Sequence, residues 1–322
     1  MAYPALAIEP LTEFAADVRA GLTRPGQKEL PSKYFYDDLG TALFEVITLL
    51  PEYGLTRADE RLFRRYAEEM VARLPGRLVV AELGSGTGKK TRWVLEALSR
   101  RQQTTYYPID VSSAALERCR RELFELEEVE FAGLASPFLE GLREVAQRRP
   151  EGAPLLVLFL GSTISNLDRP RMVEFLCDLR AMMLRGDALL LSTDLDKPER
   201  QLLAAYDDSL GVTAAFNLNL LARINRELGG NFDLAQFRHM TLYDRRHRRI
   251  EMHLASKKKQ TVCVRDAGLR VEFRAAETIW TESSHRFRCA EVADLGERAG
   301  FRCDAQWVDE EWPFAQSLFL AQ

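Results

Sequence analysis

The chain has 322 residues, of which 46% are hydrophobic, and its 44 basic and 48 acidic side chains give a formal net charge of −4. This length and composition support one large or two smaller domains with complete cores. The pI near 5.8 argues against the basic footprint of a nucleic-acid-binding protein, and no apolar run reaches the roughly 18 residues of a membrane span. We therefore expect a globular protein that binds a small molecule, with no nucleic acid and no membrane as partner.

The cysteines are odd in number and widely separated, with no C-x-x-C pair. They lie at positions 119, 177, 263, 289 and 303. We predict reduced thiols in the core of a cytoplasmic protein. The first residues combine no basic cluster with an apolar segment, so no secretion signal is expected.

The N-terminal region begins with a predicted helix, LTEFAADVRAGL (11–22), which ends at Gly21 ahead of Pro25-Gly26. The next segment, 31–57, is rich in aromatic residues, including Tyr36, Phe44 and Tyr53. Taken alone, these residues predict an N-terminal arm packed on the core. A second helical pattern covers 58–74.

The stretch LVVAELGSGTGKKT (78–91) predicts a buried strand, a glycine turn and a helix start. A dinucleotide fingerprint, G-x-G-x-x-G, would need its third glycine where Lys89 stands. A P-loop would need glycine at Leu83 and a hydroxyl at Lys90. Both phosphate-binding patterns therefore fail at defining positions.

What remains is E-x-G-x-G-x-G followed by Asp110, at the end of the next apolar run, TTYYPID. This arrangement resembles the class I methyltransferases, which bind S-adenosylmethionine (AdoMet) over the turn. In them the second acidic residue holds the ribose hydroxyls. A glycine-rich turn that binds no ligand is the alternative.

Strand-like and helical segments alternate after the glycine turn. The strand-like runs are LVVAEL, TTYYPID, VEFAGL, PLLVLFLG and ALLLST, and the helical patterns between most of them are TRWVLEALSR, SAALERCRREL and RMVEFLCDLRAMML. This alternation predicts an α/β fold with a mostly parallel sheet covered on both faces. Ligands should bind beyond the carboxyl ends of the strands, where Gly84, Asp110, Phe138 and Gly161 lie.

The fourth strand leads into GSTISNLDRPRM, in which Asp168 is a good helix N-cap and Pro170 suits the first turn. On this pattern alone, Asn166 is an ordinary turn residue. The segment lacks the [DNS]-P-P-[YFW] loop of enzymes that methylate nucleobase amines. A nucleobase acceptor is therefore disfavoured.

Residues 197–286 interrupt the alternation and are predicted to be an insertion. Its first part (205–228) suggests helices with polar residues facing inward, and 247–256, 260–265 and 269–274 are strand-like. In RIEMHL, period-two alternation sets Ile250, Met252 and Leu254 opposite Glu251 and His253. The same period groups Trp280, Glu282 and Ser284 in TIWTESSHRF.

The tail predicts a helix over 290–301 and an antiparallel hairpin of 301–308 and 316–322, with a long loop containing Trp312-Pro313. The parent domain is therefore predicted to be discontinuous, formed by 61–195 and 287–322.

Many separate motifs of this chain resemble the histidine Nα-methyltransferases of ergothioneine biosynthesis, over nearly its whole length. They are FYDDLGTALFEVIT, PEYGLTR, ELGSGTGKKT, PIDVS, VLFLGSTISNL, STDLDKP, AYDDSLGVTAAFNLNLLARINREL, RIEMHL and TESSHRF. The resemblance implies a class I AdoMet-dependent methyltransferase fold, Rossmann-like with a mostly parallel sheet. It also implies an inserted α+β substrate-binding domain formed by 1–60 and 196–286.

The implied reaction is three successive methyl transfers from AdoMet to the α-nitrogen of L-histidine, giving hercynine. The substrates are then histidine and its mono- and dimethylated forms, with no metal, and the protein is expected to be a monomer. The resemblance implies that AdoMet is bound by Gly84, Ser85, Gly86, Lys90, Asp110, Ser136 and Phe138. Substrate is bound by Phe44, Tyr53, Asn166, Tyr206, Thr213, Met252, Glu282 and Ser284, with Tyr36 and the Gly161 carbonyl near the reacting amine.

Two positions depart from the family pattern. Ala135-Ser136-Pro137-Phe138 replaces an acidic–aromatic pair that contacts adenine, so an aromatic contact is kept and the carboxylate contact is lost. Lys89 changes the turn but leaves Lys90 in place. Two alternatives stay open: methylation of a different amino acid, and an inactive regulatory protein that binds AdoMet.

Overall fold

The computed structural model describes residues 12–74 and 76–322, and these form two compact units. The small-sheet unit comprises the described residues up to Tyr53, together with Glu199–Asp244 and Ile250–Ser283. The large-sheet unit comprises Gly54–Pro198, Arg245–Arg249 and Ser284–Gln322. Residues 1–11, which include the first residue of the predicted helix 11–22 and part of the predicted domain 1–60, lie outside the described residues.

The helices are numbered in chain order. They are α1 (Glu13–Thr23), α2 (Asp38–Leu49), α3 (Leu55–Ala72), α4 (Thr91–Ser99), α5 (Ser113–Glu122), α6 (Phe138–Arg148), α7 (Arg169–Ala181), α8 (Glu199–Tyr206), α9 (Val212–Leu228) and α10 (Cys289–Arg298). None in the described part of the chain is long and apolar enough to cross a membrane.

Within residues 12–74 and 76–322 the strands fall into two sheets and a separate hairpin. They are β1 (Lys28–Glu29), β2 (Val79–Leu83), β3 (Thr104–Asp110), β4 (Val129–Phe131), β5 (Leu134–Ala135), β6 (Leu155–Phe159), β7 (Ala188–Asp194), β8 (Phe237–Asp244), β9 (Arg249–Ser256), β10 (Gln260–Val264), β11 (Leu269–Phe273), β12 (Thr278–His285), β13 (Phe301–Asp309) and β14 (Phe314–Ala321).

The large sheet has the order β4-β3-β2-β6-β7-β14-β13, with β5 beside the end of β3. The pairs among β4, β3, β2, β6 and β7 are parallel, whereas β14 is antiparallel to β7 and β13 to β14. Strand order reverses at β2, which pairs with β3 on one side and β6 on the other. The carboxyl ends of β2, β3 and β6 therefore mark the ligand-binding edge.

Helices cover both faces of this sheet, as the near-continuous apolar strands predict. Every residue of β2, β6 and β7 is buried. Helices α6, α7 and α10 pack on one face, where Leu142, Leu176 and Leu295 join the sheet core. Helices α3 and α4 pack against each other, and α3 also packs on β13 and β14. The predicted mostly parallel α/β fold is confirmed.

The small-sheet unit contains a sheet of order β1-β12-β9-β8, a β10-β11 hairpin and helices α1, α2, α8 and α9. Helix α9 packs against α2 and β8. Its interior residues Asn217 and Asn219 are buried, and Asn219 donates from Nδ2 to Asp37 Oδ1 (2.7 Å). The prediction that polar residues of this segment face inward is confirmed.

Some elements differ from those predicted. Helix α6 was not anticipated, because Gly141 weakens its helical signal; a Cβ there would lie 2.6 Å from Ile109 Cγ2, so close packing on β3 requires glycine. Strand β8 was also missed, and VEFAGL splits into β4 and β5. The loop between β13 and β14 is short, not long, because Asp309 already pairs with Phe314.

The cysteines are free thiols, but only Cys119 is buried. The prediction that all five lie in the core is therefore wrong: Cys177 and Cys263 are exposed and the other two are partly buried. Cys177 occupies the outer face of α7, and Cys263 the outer face of β10, where a small thiol needs no burial.

Candidate active site

The three glycines of the turn after β2 adopt left-handed backbone conformations. Gly84, Gly86 and Gly88 have φ of 75°, 52° and 74°. A Cβ on Gly88 would lie 2.6 Å from Cys119 Sγ, whereas one on Gly86 would meet no atom within 4 Å. The backbone is therefore closely packed against Cys119 at Gly88 and unobstructed at Gly86. Ser85, between Gly84 and Gly86, is buried. Helix α4 follows, and its first turn carries no acidic side chain.

Asp110 ends β3 beside this turn, and two backbone N–H groups hold its carboxylate. Gly86 N donates to Oδ2 (3.1 Å) and Ser112 N donates to Oδ1 (2.9 Å). The carboxylate is half-buried. Ser136 lies next to it, since its N donates to the Asp110 carbonyl (3.1 Å). The acid is therefore preorganised as an acceptor at the sheet edge.

Lys90 reaches from the start of α4 to the end of β6. Its Nζ donates to the fully buried Asp59 (2.8 Å), and it lies 3.1 Å from where a Gly161 Cβ would stand. Gly161 has φ of 71°. Asp59 also accepts from Ser192 Oγ (3.4 Å). The cation is therefore fixed beside the Gly161 backbone.

Phe138 is the first residue of α6, and its ring packs over Gly84. A Cβ on that glycine would lie 3.3 Å from the ring. The ring also meets Phe159 edge-on, with centroids 5.8 Å apart. Phe138 is therefore an apolar wall of the turn.

These residues fit AdoMet. The space beside the Gly86 backbone and the start of α4, which no side chain caps, suit a polar ligand close to the main chain. The Asp110 carboxylate, which two backbone N–H groups hold in place, can accept hydrogen bonds from hydroxyl groups. The apolar ring of Phe138 can pack against a nucleoside base. Among the described residues no group of three or more His, Cys, Asp or Glu side chains could hold a metal ion.

Glu82 is a residue of this site that the sequence analysis did not select. Thr91 Oγ1 donates to its carboxylate (2.7 Å), and Tyr106 OH also bonds to it. Burial, partly offset by these hydrogen bonds, raises the pKa of Glu82 to about 7. In the sequence, the one feature that could have indicated Glu82 is its place as an acidic residue near the end of an apolar run. Its hydrogen bond with Thr91 links β2, before the glycine turn, to α4, after it.

Asn166 and Ser284 lie on segments that the large-sheet unit brings together. Asn166 ends a 3-10 turn, Thr163–Asn166, that follows Gly161 and a left-handed Ser162 (φ 62°). Ser165 in this turn is hydrogen-bonded to Ser284 on β12 (Oγ–Oγ 3.2 Å). Two residues predicted to bind substrate are thus linked through one buried hydroxyl.

In the small-sheet unit, the predicted aromatic residues form a continuous chain of ring contacts. Centroids lie 5.7 Å apart for Tyr36–Phe44, 6.3 Å for Phe44–Tyr53 and 6.3 Å for Tyr53–Tyr206, all edge-on. Phe216 of α9, which was not predicted, packs against Tyr36 (5.8 Å) and Phe44 (6.1 Å). Five residues from 31–57 and 205–228 therefore meet as one aromatic wall.

Tyr206 is held by a buried polar network. His239 Nε2 bonds to the Tyr206 carbonyl (2.8 Å), and Asn217 Nδ2 bonds to His239 Nδ1 (2.9 Å). Since the Asn217 amide donates, His239 is protonated at Nε2. Burial lowers the pKa of His239 and keeps it neutral. Neither His239 nor Asn217 was predicted, because their roles depend on contacts between distant segments.

Thr213 is buried in the first turn of α9. Its N donates to Asp208 Oδ2 (2.7 Å), which fixes the start of the helix. Although burial alone would raise the pKa of Asp208, hydrogen bonds from the Thr213 and Val212 N–H groups lower it overall. Asp208 therefore serves as a charged cap below Thr213.

Met252 and Glu282 lie on the adjacent strands β9 and β12. Thr281 Oγ1 donates to the Met252 carbonyl (3.0 Å), and Trp280 Nε1 donates to the Glu282 carbonyl (2.9 Å). Met252 is buried and Glu282 half-buried. The alternation predicted for 250–254 is confirmed, because the side chains of Glu251 and His253 meet on one face of β9 (Oε2–Nε2 3.1 Å). His253 is nevertheless buried, stacked on Trp280 with ring centroids 5.9 Å apart.

Known proteins resemble this chain over most of its length. Residues 14–321 match the family described as histidine-specific methyltransferase, SAM-dependent. A histidine N-alpha-methyltransferase of Mycolicibacterium smegmatis is 42% identical over 305 residues, covering 94% of this chain and 93% of that protein. One from Mycobacterium tuberculosis is 41% identical over 304 residues, with the same coverage.

A third relative is ergothioneine biosynthesis protein 1 of Neurospora crassa, 30% identical over 207 residues, which are 64% of this chain and 24% of that longer protein. The family match spans both units of the fold and includes the glycine turn, Asp110 and the β12 residues. The chain therefore belongs to the histidine-specific, SAM-dependent methyltransferases.

Proposed function

We propose that this protein methylates the α-nitrogen of L-histidine three times with AdoMet, giving Nα,Nα,Nα-trimethylhistidine, a step of ergothioneine biosynthesis. The observation that carries the proposal is the 42% identity to a histidine N-alpha-methyltransferase over 94% of the chain. The held Asp110 carboxylate beside the open glycine turn supports AdoMet as methyl donor.

When bound, AdoMet supplies an electrophilic methyl group on a sulfonium, so the protein's tasks are positioning, water exclusion and binding a neutral amine. Gly84, Ser85, Gly86, Lys90, Ser136 and Phe138 are proposed to bind AdoMet together with Asp110. The large-sheet unit is then the AdoMet-binding domain and the small-sheet unit the substrate-binding domain.

The proposed substrate contacts divide by chemical group. Asn166 and Tyr206 bind the carboxylate, and Tyr53, Glu282 and Ser284 surround the imidazole. Thr213 and Met252 complete the pocket walls.

We assign Tyr36, Phe44 and the Gly161 carbonyl to the surroundings of the reacting amine. The carbonyl accepts an amine N–H and so orients the lone pair as the ammonium proton leaves. As methyl groups accumulate, the nitrogen becomes a fixed cation. The rings of Tyr36 and Phe44 meet edge-on. A cation–π contact with either ring would stabilise such a cation by roughly 0.5 to 2 kcal/mol. This supports an aromatic wall that holds each partly methylated form.

We further propose that the protein is a cytoplasmic monomer that acts on free amino acids and binds no nucleic acid. Its net charge of −4 supports a small-molecule substrate, because nucleic-acid binders need a basic surface.

The test is to incubate the purified protein with AdoMet and an equimolar mixture of amino acids. Mass spectrometry should show histidine alone gaining three methyl groups, all on the α-nitrogen. Activity should rise with pH as the α-amino group loses its proton. A different methylated amino acid would support the rival substrate, and AdoMet binding without turnover would support the regulatory alternative.

A further inference from the structure

The Ser284 hydroxyl is held by a buried guanidinium that the methyl-transfer chemistry does not use. Arg286 Nη1 donates to Ser284 Oγ (2.8 Å) and to the Ser284 carbonyl (2.9 Å). Arg286 is fully buried and Ser284 nearly so. An arginine donates hydrogen bonds and accepts none, so Ser284 Oγ is the acceptor in this pair.

The proton of Ser284 also has a determined direction. Ser165 uses its single hydroxyl proton on the Ser162 carbonyl (2.5 Å). In the Ser165–Ser284 pair (3.2 Å), Ser165 must therefore accept and Ser284 must donate. The hydrogen bonds run one way, from Arg286 through Ser284 and Ser165 to the Ser162 carbonyl. With its proton committed, Ser284 can offer a ligand only a lone pair.

The guanidinium is itself anchored. Arg286 Nε lies 3.0 Å from Asp194 Oδ2, and its backbone N donates to the Arg248 carbonyl (2.7 Å). Asp194 N in turn donates to Ser162 Oγ (2.8 Å), so both ends of the chain of hydrogen bonds are tied to the end of β7. Because arginine stays protonated at any working pH, the donor direction is permanent.

We propose that Arg286 is a positioning residue that fixes Ser284 as an acceptor for an imidazole N–H, and so helps to select histidine. The inference rests on the proposed function, because it assumes that Ser284 contacts the imidazole. It goes further by naming the group that controls Ser284 and the direction of its hydrogen bond.

The experiment is a double-mutant cycle on L-histidine binding, measured by calorimetry with the protein saturated with unreactive S-adenosylhomocysteine. Arg286→Lys keeps a charge for Asp194 but removes the planar fork that also reaches Ser284. Arg286→Lys and Ser284→Ala should each raise the Kd of histidine roughly three- to tenfold, the range for one neutral hydrogen bond. The double variant should differ from Ser284→Ala by less than about twofold.

Three controls separate this role from a structural one. Arg169→Lys alters a guanidinium that donates to the Arg286 carbonyl (3.1 Å) and should leave the Kd of histidine unchanged. Melting temperature and AdoMet affinity should stay near wild type in Arg286→Lys. L-β-(2-thienyl)alanine, which has no ring N–H, should lose no affinity in either single variant.

Ser165→Ala tests the direction of the hydrogen bond even if Arg286→Lys fails to fold. Removing the acceptor of the Ser284 proton lets that proton turn toward the ligand, so the Kd of histidine should rise roughly threefold. Equal or tighter binding would overturn the acceptor assignment. Additive penalties in the double-mutant cycle would overturn the role of Arg286 while leaving the proposed function intact. A wild-type protein that does not bind histidine would overturn both.

Discussion

At the scale of single residues, the site depends on side chains whose orientation the backbone already sets. Asp110 is an example, because Gly86 N and Ser112 N hold one carboxylate oxygen each. A carboxylate fixed in this way accepts hydroxyl hydrogen bonds without losing further side-chain entropy.

Asp110→Ala should weaken AdoMet binding by about 2 to 4 kcal/mol, or roughly thirty- to several-hundredfold in Kd, because charge-assisted hydrogen bonds to two hydroxyls are lost. Calorimetric titration measures this. Asp178→Ala removes an exposed carboxylate on α7 and should leave the Kd unchanged. Wild-type affinity in the Asp110 variant would disprove its assignment to AdoMet.

At the scale of secondary-structure elements, Glu82 couples β2 to α4 across the glycine turn. Its carboxylate is buried with Tyr106 and Thr91 as partners, while Lys90, Asp59 and the buried Cys119 are the nearby ionisable groups. Burial raises the pKa of Glu82 from 4.5 to about 7. The folded protein therefore holds a proton here that the unfolded chain releases at lower pH.

The sign of the pH effect follows from this raised pKa. Between about pH 4.5 and 7 the native state binds more protons than the unfolded state, so the Glu82 contribution to stability is present below this window and is lost as pH rises through it. The total is on the order of 2 to 4 kcal/mol.

Glu82→Gln, which cannot ionise, should abolish this part of the pH dependence. Urea denaturation from pH 4.5 to 8 should show wild-type stability falling relative to the variant as pH rises. Glu96→Gln is a suitable control, because Glu96 is a partly exposed glutamate on α4. Parallel pH profiles for wild type and Glu82→Gln would mean that Glu82 is already charged at low pH.

At the scale of the whole molecule, Asp194 ties together the two segments at which the chain leaves and re-enters the large-sheet unit. Its carboxylate binds Lys197 Nζ, Arg286 Nε (3.0 Å) and Trp312 Nε1 (3.0 Å), all of them buried. Leu195 also pairs with Phe287 in a parallel bridge. Burial is the main cause that lowers the pKa of Lys197, to about 8. Two buried cations thus depend on one carboxylate.

Asp194→Asn should destabilise the protein by about 3 to 5 kcal/mol, since it leaves buried cations uncompensated. A shift of the urea midpoint measures the loss. Asp304→Asn is the matched control, because Asp304 pairs with the exposed Arg73 and Arg302 and should cost less than about 1 kcal/mol. Similar shifts for the two variants would mean that the Asp194 cluster does not stabilise the fold.

The sequence by itself determined the features that depend on local pattern. Continuous apolar runs specified β2, β3, β6 and β7, because strands buried on both faces cannot alternate in polarity. Three spaced glycines specified the turn, since only glycine adopts left-handed conformations freely. Asp110 followed from its place at a strand end. Family-specific motifs supplied the remaining candidate residues.

Tertiary structure alone decided what depends on partners far apart in the sequence. The raised pKa of Glu82 requires burial by other elements, and the direction of the Ser284 hydrogen bond requires Ser165, 119 residues away. Helix α6 needs the close approach of Gly141 to Ile109. The burial of His253 needs Trp280 on a neighbouring strand. Local pattern determines which way a side chain can face, whereas packing decides which atom it meets and therefore its charge and hydrogen-bonding role.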